Sequence, residues 1–79
     1  MPRYHFNVHA RVYTLDEEGI EFANVEEAKG SAEANVHFMV AEEMKHERRF
    51  SLNHAIVITG DDGALLHSVR YGDCVDVRL

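Results

Sequence analysis

The spacing of apolar residues changes twice along this chain, and that change restricts the fold more than any other feature. Near the N-terminus Tyr4, Phe6 and Val8 alternate with His5, Asn7 and His9, the period of two that marks a strand with one buried face. Further on, Val25, Ala28, Ala32, Val36, Met39 and Val40 recur at steps of three and four, so they form one stripe of a helix. Short β-prone runs then return at residues 55–59 and 65–71, separated by Gly60-Asp61-Asp62-Gly63. A chain that reads strand, helix, strand in this way packs a helix on a sheet.

Local signals set the boundaries. Val12, Tyr13 and Leu15 extend into a second strand, Asp16-Glu17-Glu18-Gly19 supplies a turn, and Ile20-Glu21-Phe22 resumes the alternation. Asn24 with Glu27 three residues on is a capping pair, which predicts a helix starting at Val25 and ending near Lys45, Arg48 and Arg49. If Asp62-Gly63 forms a two-residue type I′ turn, Ile58 lies opposite His67 and Ile56 opposite Val69. The inward set is then Ile56, Ile58, Leu65, His67, Val69 and Tyr71. Residues 74–79 alternate again and would add an edge strand. The expected fold is α+β, one domain over residues 1–79. Its order is ββαββ, a two-layer sandwich with an antiparallel sheet covered on one face by a single long helix.

Length and charge narrow the function. At 79 residues the core is thin, a second domain has no room, and oligomerisation is favoured. The net charge of -6 repels nucleic-acid backbones and anionic lipid. One cysteine, Cys74, builds neither a disulfide framework nor a thiolate zinc site. Met1 to His5 lacks a signal-peptide apolar run, and no stretch reaches membrane-spanning length, so a cytoplasmic location is expected.

The residues Met1-Pro2-Arg3-Tyr4, Phe6, His9, Asp16-Glu17-Glu18-Gly19, Asn24 and Met39-Val40-Ala41-Glu42 resemble a family of short alphaproteobacterial proteins of unknown function. The resemblance continues through residues 56–59, Asp62-Gly63 and Tyr71-Gly72-Asp73. It departs at Asn7, His67 and Phe38, where the family commonly has a histidine, an aliphatic and a polar residue. The resemblance implies a fold and transfers no catalytic residues.

No catalytic, cofactor-binding or metal site is expected. His5 and His9 lie four residues apart on a strand, about 13 Å, too far to share one zinc ion. Glu43 with His46 and Glu33 with His37 have helical ligand spacing, but one helix per chain supplies too few donors without a dimer. Ser31, Ser51 and Ser68 lack a nucleophile motif, and Asp16, Glu17 and Glu18 read as a solvated turn. His67 reads as a hydrogen-bonded residue at the core edge.

A second helix stripe, Ala34, Phe38 and Ala41, points away from the core stripe. Phe38 is then an interface residue, an isolated surface aromatic, or a core residue of a helix with a different phase. The other sheet face offers His5, Asn7, His9, Val57 and Leu66 as a second contact surface. The expected function is a non-enzymatic protein-interaction or regulatory module, a homodimer whose acidic surface engages a protein partner with a basic surface, with no cofactor. One alternative is a nucleic-acid-binding, antitoxin-like or inhibitor protein, using Lys45, Arg48 and Arg49 with Arg3, Arg11 and Arg70 and stacking on Tyr4, Phe6 and Tyr71. The second alternative is a metal-binding protein in which His5, His9, His54 and His67 converge.

Overall fold

The computed structural model describes residues 1–47 and 52–74. Its order is β1 (Arg3–His9), β2 (Tyr13–Thr14), β3 (Ile20–Glu21), α1 (Val25–Glu47), β4 (Ala55–Gly60), β5 (Leu65–Arg70) and α2 (Tyr71–Cys74). The five strands form one open sheet, β2-β1-β4-β5, with β3 also paired to β1, and every pairing is antiparallel. The α+β class with one long helix therefore holds. The order is βββαββα where the sequence reading expects ββαββ, because the second strand is broken in two and a short helix follows β5.

The break has a simple origin in register. Val8 faces Thr14 and Tyr4 faces Ile20, so residues 15–19 lie opposite residues 5–7 and the second strand carries two extra residues, five against three. Those extra residues arch out of the ladder as a loop. Gly19, at φ 74, turns the chain back, and a Cβ there would sit 2.7 Å from Arg3 Cγ and 2.9 Å from His5 Cε1.

Residue pairing sorts the sheet into two faces. Tyr4, Phe6 and Val8 of β1 share theirs with Ile56 and Ile58 of β4 and Val69 of β5, and α1 lies on it. The helix contributes Ala28, Ala32, Val36 and Val40, all buried, with Val25 and Met39 at the margins, which is the stripe read from the sequence. Alanine at the first two positions lets α1 lie close to the strands. Its N-terminus is capped as expected: Asn24 Oδ1 accepts the Glu27 N–H at 3.0 Å. The Glu27 carboxylate reaches back one residue further than a capping box requires, to the Ala23 N–H at 3.2 Å. Arg48 and Arg49, expected at the helix end, lie outside the described residues.

The second hairpin keeps the expected pairs Ile56–Val69 and Ile58–His67 by a different turn. The Gly63 N–H bonds the Gly60 carbonyl at 3.0 Å, the Gly60 N–H bonds the Ala64 carbonyl at 3.0 Å, and Gly63 sits at φ 81. This is a three-residue loop, a type I turn closed by a left-handed glycine, in place of the two-residue type I′ turn. It displaces the register by one, and a bulge between Ile58 and Thr59 restores it. Leu65, expected inward, consequently pairs with Thr59 on the other face and is 68% exposed. Tyr71 is inward as expected but begins α2 instead of ending a strand; it is 1% exposed, and its hydroxyl reaches Met39 Sδ at 3.5 Å. Residues 75–79, expected as an edge strand, lie outside the described residues. Among the described residues no helix is long and apolar enough to cross a membrane.

Candidate functional site

The sheet face opposite α1 holds the densest polar chemistry in the described chain. The loop of residues 15–19 folds down over β1 at Asp16. One oxygen of its carboxylate accepts the Phe6 N–H and the other the Gly19 N–H, both at 3.0 Å. The first bond replaces the ladder partner that the broken strand fails to supply, and the second holds the turn. The Asp16 N–H in turn donates to Asn7 Oδ1 at 3.0 Å. Asn7 Nδ2 donates to Thr59 Oγ1 at 3.1 Å and to the Val57 carbonyl at 3.3 Å. With donors and acceptor thus occupied, Asn7 tolerates an exposure of only 5%.

His5 joins this loop to the β4–β5 turn. Nδ1 lies 2.8 Å from the Asp16 carbonyl and Nε2 lies 2.8 Å from Asp61 Oδ1. The carbonyl and the ionised carboxylate both accept, so the geometry suits a ring that donates from both nitrogens, the imidazolium form. Its pKa is raised above the ordinary value by the Asp61 hydrogen bond first and the Asp16 carbonyl second, against a smaller burial penalty. At Asp16 burial is the largest influence and pushes the pKa up. The Phe6 and Gly19 N–H bonds and the His5 charge together outweigh it and hold the carboxyl below its usual range. Each shift favours the charged form of its group. In the imidazolium form both nitrogens donate, and the ring clamps the loop to the turn.

The clamp gathers acids that are far apart in sequence. Asp16 and Glu17 line the same open groove of ≈ 440 Å³ as Asp61, beside Tyr13, Leu15 and Thr59. Glu18 and Asp62 are exposed next to them in the chain. The sequence reading places Asp16 in a solvated turn; it is instead the half-buried centre of the network, because the N–H groups of Phe6 and Gly19 need an acceptor.

The residues proposed from sequence fall into two sets. Ala34, Phe38 and Ala41 are exposed on the outward side of α1, with Phe38 66% exposed, so the helical phase is as read. On the sheet side the expectation of an uncovered face fails at Asn7 and His5, which lie under the loop. His9 is exposed and packs edge-on against Tyr13, Val57 is half-buried, and Leu66 is exposed at the bulge. Sequence reasoning misses Asp16, Thr59 and Asp61 as members of one network. The only local signal is the glycine after the three acids.

The alternatives meet specific geometry. Among the described residues no three His, Cys, Asp or Glu side chains converge on a metal position. His54 lies 3.8 Å from Glu43 and edge-on to Tyr71, His37 contacts the Cys74 carbonyl and His46 pairs with Glu42, so the histidines disperse. His67 is half-buried opposite Ile58. For base stacking, Tyr4 and Tyr71 are in the core and Phe6 is stacked on Phe22. Arg3 pairs with Glu21 and Arg70 with Asp73.

A single long helix on one face of an open antiparallel sheet, with a polar loop clamped over the other, defines a small α+β domain. The chain belongs to the family described as a domain of unknown function, DUF6894, whose model matches residues 3–72. No curated protein and no solved structure matches it.

Proposed function

We propose that the chain is a non-enzymatic interaction module that acts as a homodimer and presents an acidic end to a protein partner with a basic surface. The observation that carries this is the His5 clamp. It holds the loop with Asp16, Glu17 and Glu18 against the turn with Asp61 and Asp62, concentrating negative charge at one end of a chain whose net charge is -6. Such a surface attracts a basic partner by long-range steering and repels phosphate backbones. An inhibitor that covers a nucleic-acid-binding surface is one form of the same function.

Glu17, Glu18 and Asp62 are exposed, and replacing them with amides leaves the clamp intact. Affinity capture from a bacterial lysate at low salt, with the wild type, the triple-amide variant and a mock bait, tests the reading. Basic proteins retained by the wild type, released by added salt and lost from the amide variant support it. A wild-type set equal to the mock set removes it.

A further inference from the structure

Resting on that dimeric reading, we propose that the second copy of the chain docks on the outward face of α1, antiparallel to it and in one register. Phe38 of each chain covers Ala34 of the other, and Glu27 of each faces Lys45 of the other.

The pattern of the helix carries this. At 100° per residue, Glu27, Ala34, Phe38, Ala41 and Lys45 lie within about 40° of the direction opposite Val36, and Val36 is fully buried against the sheet. All five are exposed. Glu27 and Lys45 are separated by 18 residues, five full turns or about 27 Å, so they sit on one line at the two ends of the stripe.

The stripe is also self-complementary. Positions 27 and 45, 34 and 38, and 31 and 41 share one midpoint, residue 36. A twofold axis across the helix at that level therefore superposes each position on its counterpart in the other copy, as an isologous interface requires. It brings acid against base at both ends, and the largest exposed side chain against one of the smallest at the centre, twice. With Gly30, Ala34 and Ala41 on this side, the two backbones can approach to the short end of the usual interaxial range, roughly 8 Å. A parallel pair would oppose Glu27 to Glu27, Lys45 to Lys45 and Phe38 to Phe38. Like charges at both ends and two rings competing for one space disfavour it. Five side chains on one helix face are fewer than the roughly 20–30 residues a side of a standard interface, which places this contact among weak, reversible associations.

Two single substitutions at exposed positions test the register, Ala34→Glu and Phe38→Lys, with circular dichroism to verify that each retains the wild-type helix content. Each alone places a charge against an apolar partner in the homodimer and is expected to weaken self-association at least tenfold in sedimentation velocity. Mixed in equal amounts, the two variants set the introduced carboxylate of one chain against the introduced ammonium of the other and keep the native Phe38–Ala34 contact on the far side. Heterodimer is expected to return within a few-fold of wild-type affinity.

A mixture that stays monomeric overturns the register. Dimer that persists in both single variants moves the second copy to another face, which overturns the proposal and leaves the dimeric reading standing. Wild type that stays monomeric up to high micromolar concentration overturns the proposal together with that dimeric reading. The lysate capture, which reads the acidic end, is scored independently of all three.

Discussion

Asp16 carries more of this fold than any other polar side chain described. Its two oxygens accept backbone N–H groups from β1 and from its own turn, and its backbone carbonyl accepts from His5. Replacing it with alanine strands the Phe6 N–H beneath the loop and removes two charge-assisted bonds, a loss of about 2 kcal/mol in denaturant unfolding. Asparagine, which keeps one acceptor oxygen, is expected to lose roughly half as much. The charges on Asp16 and His5 also make stability depend on pH, with opposite signs. The folded pKa of His5 is raised, so its contribution is complete below the unfolded value of about 6.5 and disappears as pH climbs through the folded value. The folded pKa of Asp16 is lowered, so its contribution is present above the unfolded carboxylate value and disappears as pH falls through the folded one. Stability should therefore be greatest in mildly acidic solution and decline on both sides. Because the Asp61 side chain is 67% exposed, salt screens its part of the His5 interaction and flattens the alkaline limb. Urea midpoints across pH for wild type and His5→Gln provide the check. The variant should lose the alkaline slope and keep the acid one, and identical slopes in the two chains would show that the His5 charge does not hold the loop.

Glycine separates what an element tolerates from what it requires. In α1 the position of Gly30 is open, and a Cβ added there would have nothing within 4 Å, so Gly30→Ala should stabilise the chain by about 1 kcal/mol through helix propensity alone. Gly63 is equally open but sits at φ +81, so Gly63→Ala should cost about 1 kcal/mol, with Gly63→Asn nearer neutral. Thermal unfolding of the variants at low protein concentration reads both signs, and a destabilised Gly30→Ala would mean that the helix surface there is already occupied. The same distinction explains which elements are legible in the sequence. The alternation of β1, the Asn24 cap, the core stripe of α1 and the outward phase of Phe38 depend on neighbours within one or two turns, and sequence and structure agree on them. They agree also on the Ile56–Val69 and Ile58–His67 pairs, though through a different turn, since the one-residue displacement at Gly63 and the bulge at Thr59 cancel. The turn between the two short strands is legible at Asp16-Glu17-Glu18-Gly19, but the clamp beneath it is not, because nothing within residues 13–21 reveals that Phe6, ten residues before Asp16, needs a substitute acceptor. Two of the five residues of the proposed sheet surface are covered for the same reason: His5 and Asn7 present polar side chains, and only the fold of the loop decides whether water or the loop and turn satisfy them.

For the whole molecule, size and composition of the core set the balance. A chain of 79 residues buries only about 60% of its unfolded surface. Among the fully buried side chains here the large ones are Tyr71, Ile56, Ile58 and Val36, while α1 contributes alanine at two of its four buried positions. Close approach of the helix has been obtained with small side chains that bury little area, so a single copy has modest stability and the proposed association would add to it by mass action. At a total concentration one hundred times the dissociation constant about one chain in fifteen stays monomeric, so that addition is about 1.6 kcal/mol, which for a domain of this size raises the melting midpoint on the order of 10 °C. Calorimetric scans over a hundredfold range of protein concentration should show this rise for wild type. Phe38→Ala, which removes an exposed ring and no core contact, should melt at the dilute wild-type midpoint at every concentration. A wild-type midpoint that stays constant across the range would mean that the copies do not stabilise one another. The thin core would then be sufficient alone, and Phe38 would stand as an isolated surface aromatic or as the contact of a different partner.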